Sequence, residues 1–315
     1  MRPFFCLSLC AVQPSILPDI HLTAPMQAHW PAHLHLTYRH EAYEGIARTI
    51  AHDLHSGPLR VLQALYPEGP EVCHHVLVHP PGGIVGGDTL TVEVQAGPGS
   101  RALITTPGAT RFYRSNGPWA EQTTRLTLAE NARLEWLPLE TLAYDQCLAR
   151  NSLTMQLAPG AVLLGWDLLA LGLPAAAKPF SKGEFVNRVQ WPGVWLEHGH
   201  LDALDTQLLH SPLGLAGHTC IGTMWLACGS GLGRELLELL LDEAREEIGL
   251  ASAKNTADTT TDITAGVTAL EPRLLVLRLL ARHTETAFAL MRAVRARWRP
   301  LALGLPAHEP RIWRQ

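Results

Sequence analysis

Asp88 closes a glycine- and proline-rich stretch, HPPGGIVGGDTL (residues 79–90), just ahead of an alternating pattern. A carboxylate at such a hinge could meet a phosphate, take part in metal or acid–base chemistry, or hold the turn. Gly82 and Gly87 have the spacing of a phosphate-binding loop, but Asp88 occupies the position of its lysine. A carboxylate repels the phosphate that the lysine would attract. A strand pattern rather than a helix follows the glycines, so the dinucleotide-binding fingerprint fails too. Two readings stay open. Asp88 accepts backbone N–H bonds in a rigid corner, or it lines a polar passage.

A second candidate lies upstream, at Cys73-His74-His75 followed by His79. One reading is metal contact. The other is a strand whose alternate side chains are merely polar. The sequence contains no HExxH, GxSxG or paired-cysteine zinc motif. A metal-dependent hydrolase built on the His, Asp and Cys residues is therefore one alternative, without convergent spacing to support it.

These residues sit in a chain of 315 residues that is 47% hydrophobic and 17% charged, with a net charge of −4. That length fits one large domain or two ordinary ones. The composition is core-rich and leaves little charge to solubilise a free surface, which points to buried partner surface. The charge argues against nucleic acid as a partner. Six scattered cysteines give no disulfide rhythm, so a reduced, cytoplasmic chain is expected. Residues 4–12 form a short apolar run behind one arginine, a thin imitation of a signal peptide. No later run is long and apolar enough to span a membrane. Organised patterning begins only after Met26. We expect residues 1–25 to be a non-structural extension and 26–315 a single domain.

Strand patterns position the candidates. Leu34, Leu36 and Tyr38 alternate with His33, His35 and Thr37, and residues 89–95 alternate just as cleanly. The stretches 90–105, 126–137 and 153–166 share a plan: a strand beginning Leu-Thr, a short turn, a second strand. Aligned on Leu-Thr, they are offset by 36 and 27 residues. Such units suggest a solenoid-like stack of sheets. Helical patterns come late. Residues 234–249 carry a leucine stripe opposite an acidic face, with Gly249 as the stop, and residues 284–298 align Phe288, Met291, Val294 and Trp298. The intervening 251–265 reads as a polar loop. The last 45 residues hold nine arginines against three acids: most simply a solvated face, otherwise an internal contact with the acidic helix, or two docking surfaces. The fold class expected is mainly β, a β-helix-like stack with two α-helices in the C-terminal third.

Several stretches together resemble the urease accessory protein UreD (UreH) family. They are SGPLRVLQALYPEG (56–69), HPPGGIVGGD (79–88), TTPGATRFYRSNG (105–117), LEWLPLETLAYD (134–145), GWDLLALGLP (165–174) and PRIW (310–313), in the family's order. PFSKGEF (179–185) matches only loosely. The resemblance implies a non-catalytic maturation factor that binds apo-urease. It implies as partners UreF and, through UreF, the GTPase UreG. No tightly bound cofactor is implied, only nickel in transit to the urease active site along an internal polar tunnel. A pure structural adaptor without metal contact is the other alternative. On this resemblance Asp88 and Asp167, each at a strand edge in a matching motif, are candidate transient nickel contacts, and Glu140 and Asp145 are further ones. UreF is expected to cover apolar surface from Leu274 on.

Overall fold

The computed structural model describes residues 30–254 and 263–314. The apolar run at 4–12, Met26 and the expected domain start all lie outside the described residues. The described residues open with a long hairpin, β1 (Pro31–Tyr43) and β2 (Ile46–Ser56), followed by β3 (Arg60–Val61) and β4 (Val72–Val78). It then winds in coils. The first is β5 (Thr89–Ala96), β6 (Arg101–Thr105) and β7 (Thr110–Phe112); the second is β8 (Ala120–Leu128), β9 (Arg133–Leu137) and β10 (Thr141–Ala143). The third is β11 (Leu148–Leu157) and β12 (Val162–Leu171). A hairpin follows, β13 (Glu184–Trp191) and β14 (Trp195–Asp202), then the short α1 (Thr206–His210) and β15 (Cys220–Cys228). The last elements are α2 (Arg234–Lys254), β16 (Ile263–Glu271), β17 (Leu274–Ala281) and α3 (Thr284–Trp298).

Equivalent strands of successive coils stack in parallel. β5, β8 and β11 lie side by side in a seven-stranded sheet, and β6, β9 and β12 in a ten-stranded one. On a third, narrow side β7, β10 and the end of β12 pair in register. This is the solenoid-like stack that the repeated units indicate. The register differs from the Leu-Thr alignment: Leu90 lies beside Gln122, and Gln122 beside Asn151. The true offsets are thus 32 and 29 residues, because inward apolar positions, not a recurring dipeptide, fix the pairing.

The two sheets read differently because they are covered differently. The seven-stranded sheet has one wet face, so β5 alternates apolar-in and polar-out. The ten-stranded sheet is covered on both faces, and β12 (VLLGWDLLAL) and β17 (LLVLRLLA) are near-continuous apolar runs. One core lies between the sheets, with Leu34, Val92, Leu134, Phe185 and Trp225. The other lies between the second sheet and the helices, with Leu164, Met224, Leu277, Val294 and Trp298.

Expectations for the C-terminal third are corrected at several points. α2 runs through Gly249 to Lys254, because its apolar stripe continues to Ile248 and Ala251 against the core. The expected polar loop 251–265 is helical to 254 and strand from Ile263; residues 255–262 lie outside the described residues. The arginines are only in part a solvated face: Arg278, Arg282, Arg297 and Arg311 are exposed, and others turn inward. Arg297 binds Glu243 and Glu247 of α2 at 3.2 and 2.8 Å, and Arg295 and Arg299 are 1% and 0% exposed. The apolar stripe from Leu274 on is covered by the chain itself.

Candidate functional site

The glycine-rich corner joins β4 to β5. Gly87 has φ +98°, in the region that only glycine adopts without strain. Any Cβ at Gly83 would collide with the Tyr113 ring. The glycines therefore serve shape. Asp88 is buried, and its Oδ2 accepts the Val85 N–H at 3.0 Å while its own N–H donates to the Val85 carbonyl at 3.0 Å. That closes the corner on itself, the first of the two readings.

Beside the corner, a cavity of about 210 Å3 opens between the sheets, walled by His79, Gly83, Arg111, Gln122 and Thr124 among others. Burial lowers the His79 imidazole pKa, and the nearby Asp88 charge works against that. A narrower cavity of about 20 Å3 adjoins it, since both are walled by Thr110, Gln122, Thr124, Trp136 and Pro138. This volume admits about one water-sized occupant.

Asp167, on β12, faces the narrow cavity. Opposite it runs a line of side-chain amides on consecutive parallel strands, Gln122 on β8, Asn151 on β11 and Asn187 on β13. Gln122 donates to Asn151 at 3.3 Å, and Asn151 donates to Asn187 Oδ1 at 3.2 Å. Asn151 and Asn187 each donate to the Asp167 carboxylate, at 3.2 and 2.7 Å. Burial pushes the Asp167 carboxyl up to about 6, against the pull of these hydrogen bonds and helped by the charge of Glu197. The Trp225 indole N–H on the same wall has no partner among the described residues. The second sheet thus contributes a high-pKa carboxylate and the first contributes neutral amides to one confined polar space.

The other candidates lie elsewhere. The Glu140 side chain is half-buried, and its carbonyl accepts the Thr110 N–H at 2.9 Å. Asp145 Oδ1 accepts the Ser181 and Lys182 N–H groups at 2.8 and 2.9 Å and the Ser181 hydroxyl at 3.0 Å. Desolvation opposes ionisation of Asp145, but hydrogen bonds from Ser181, Gln146 and Lys182 hold its carboxyl below the usual range. Neither residue lines the Asp167 cavity.

Cys73, His74 and His75 do not converge. They alternate across β4, so His75 meets Tyr38 between the sheets at 2.7 Å, and His74 meets Glu68 on the helix side at 2.7 Å. Burial pushes the Cys73 thiol up to about 11 and the His75 imidazole down to about 4. Among the described residues no three His, Cys, Asp or Glu side chains are grouped to hold a metal ion.

Sequence reasoning missed two features. One is the amide line, whose signal was polar residues at inward positions of β8, β11 and β13. The other is a buried ion network on the helix side. Glu135 of β9, 1% exposed, receives Arg295 at 2.7 Å and Arg299 at 2.8 Å. Arg299 also binds Glu68 at 2.6 Å and the Pro306 carbonyl. Arg295 donates to the His308 carbonyl at 2.8 Å and stacks on Trp313, whose indole donates to Thr105 at 3.0 Å. The terminal PRIW motif is thereby clasped to the second sheet.

A three-sided parallel stack backed by two helices thus encloses a carboxylate and a line of amides between its sheets. The chain matches the UreD urease accessory protein family over residues 31–314. It is 56% identical over 285 residues to the urease accessory protein UreD of Leptothrix cholodnii and 50% identical over 284 residues to that of Variovorax paradoxus. It is 49% identical over 300 residues to that of Methylibium petroleiphilum. Each comparison covers 90% of this chain and 99% of the relative. The chain belongs to the UreD family of urease accessory proteins.

Proposed function

We propose that the protein is a non-catalytic urease maturation factor that binds apo-urease and, with UreF and through it the GTPase UreG, enables nickel insertion in the cytosol. Nickel is cargo, moving through the interior past Asp167. The observation that carries this reading is the enclosed line of Gln122, Asn151 and Asn187 ending on the Asp167 carboxylate. A cation in a confined space needs compensating charge and oxygen ligands. One carboxylate among neutral amides supplies them without the soft thiolates that would trap a transition metal. No helix among the described residues is long and apolar enough to cross a membrane.

Co-expression of the tagged chain with the urease subunits, UreF and UreG is the test, read as co-purification and as nickel content of the resulting urease. Wild type and Asp167→Ala should assemble alike, and the variant should deliver several-fold less nickel. Normal assembly with normal nickel would take Asp167 off the route and leave an adaptor. Failure of the wild-type chain to hold urease would overturn the maturation role itself.

A further inference from the structure

Four of the matching motifs end on one wall of the molecule. Val85 of the glycine corner, Tyr113 and Arg114 after β7, Tyr144 after β10, and Leu173 and Lys178 after β12 line a cleft of about 500 Å3. Their meeting follows from the fold. Thr110, Thr141 and Leu169 stand in register on the narrow side of the stack, so the segments leaving these strands run alongside one another. The wall is firmly held. Tyr113 donates to the Ile84 carbonyl at 2.9 Å, Tyr144 donates to the Phe112 carbonyl at 3.0 Å, and Leu173 donates to the Lys178 carbonyl at 2.7 Å. The two tyrosine rings meet edge to face with centroids 5.0 Å apart.

The surface chemistry is mixed in a specific way. Val85 is 46% exposed although its backbone is fixed by Asp88. Arg114 and Lys178 are exposed at the rim, and among the described residues neither has a carboxylate partner. Many other arginines of the chain are paired, among them Arg101, Arg125, Arg150, Arg278 and Arg292. Asp145, the one acid of the cleft, already accepts the Ser181 and Lys182 N–H groups. An aromatic cleft with two free cations on a chain of net charge −4 is a local exception to the molecule's charge.

We propose that this cleft docks an acidic segment of a partner protein. An aliphatic or aromatic side chain of the segment seats between Tyr113, Tyr144, Val85 and Leu173, and neighbouring carboxylates meet Arg114 and Lys178. The inference rests on the partner-binding role above and adds a position and a chemistry for one contact. Aromatic anchors supply the binding energy at such surfaces, while rim charges supply orientation and salt dependence. Single-stranded nucleic acid needs a groove of cations that tracks several phosphates; here two cations flank one cleft.

Two measurements on the full chain test this. The first is fluorescence anisotropy with a labelled Glu-Glu-Trp-Glu-Glu peptide, comparing wild type, R114E/K178E, Val85→Ser and, as a remote control, Arg234→Glu. R114E/K178E should bind at least tenfold more weakly, Val85→Ser a few-fold more weakly, and Arg234→Glu like wild type, with unchanged thermal unfolding in all. Equal peptide binding by wild type and R114E/K178E overturns the proposal. So does oligothymidylate binding as tight as the peptide's. The second is co-purification with co-expressed urease, UreF and UreG. Loss by R114E/K178E of a partner that wild type holds supports the cleft, and retention of every such partner overturns it. If wild type holds no partner, the maturation role has failed and the peptide comparison alone decides for or against the cleft.

Discussion

Asp167 carries its charge at a cost, and that cost has a sign. Its carboxyl titrates near 6 when folded and near the ordinary 3.9 when unfolded. Between those values the native state binds the extra proton, so Asp167 makes stability fall as pH rises from about 4 to about 6. The effect is roughly 3 kcal/mol at most. Asp167→Asn should remove this slope, which urea unfolding at a series of pH values will show as a flatter profile. Asp88 behaves differently. Its carboxylate holds the Val85 N–H in the corner, and Asp88→Ala should cost about 1 kcal/mol as a lost turn bond. The corner also shapes the cavity mouth and the Tyr113 wall, so reduced assembly with urease is expected beside the lower melting temperature. Unchanged melting and assembly would remove Asp88 from both roles. Both aspartates stood out in the sequence as carboxylates in motif stretches next to strands. Their different surroundings were not legible, because the partners of Asp167 lie on strands of the other sheet.

Individual strands were largely legible, since alternation and turn residues are local signals. β5 and α3 fall where the pattern places them, and the stacked plan follows from units that cannot bury a face alone. The pairing register was not legible from Leu-Thr dipeptides, and Gly249 did not stop α2, because tertiary burial outweighs a single glycine's cost of about 1 kcal/mol. For the arginines of α3, contact with the acidic helix holds at Arg297, but the burial of Arg295 and Arg299 was not legible. Arg295 and Arg299 share Glu135, an acid inside a strand motif with no sequence mark of its partner. Removing one member of a buried ion group strands the others, at about 3–5 kcal/mol. Glu135→Ala should therefore unfold at markedly lower urea than wild type, whereas Arg234→Ala, on an exposed pair, should change little. Glu68 adds an acid limit. Desolvation opposes its ionisation, but His74 and Arg299 hold its carboxyl down at about 2. Its contribution is complete above the ordinary carboxylate pKa of about 4.3 and is lost as pH falls toward about 2. Glu68→Gln should be less stable than wild type at pH 7 and converge with it near pH 2.

At the scale of the whole molecule, the first strand among the described residues is β1, from Pro31. A chain starting at Met26 should complement a UreD-deficient strain as well as the 315-residue chain does; failure of the shorter chain alone would contradict this. Low charge and exposed apolar side chains such as Leu213, 99% exposed, bear on handling. Expressed alone, the protein should aggregate, and UreF should keep it in solution. A monodisperse monomer in size-exclusion chromatography without UreF would count against that.

The clasp also orders events in time. Each coil can settle on its predecessor about 30 residues after it leaves the ribosome, since neighbours are 32 and 29 residues apart. The Glu68–Arg299 bond spans 231 residues and needs nearly the last of the chain. Glu135 therefore waits for Arg295 and Arg299, and Glu68 for Arg299 with only His74 beside it, through most of synthesis. A chain released before Arg295 keeps these acids without their arginines on an uncovered sheet, which should leave it open to proteases. The ion network is in this sense a completion signal: chains ending at Met291, which lack Arg295 and Arg299, should be degraded several-fold faster in pulse–chase than full-length ones.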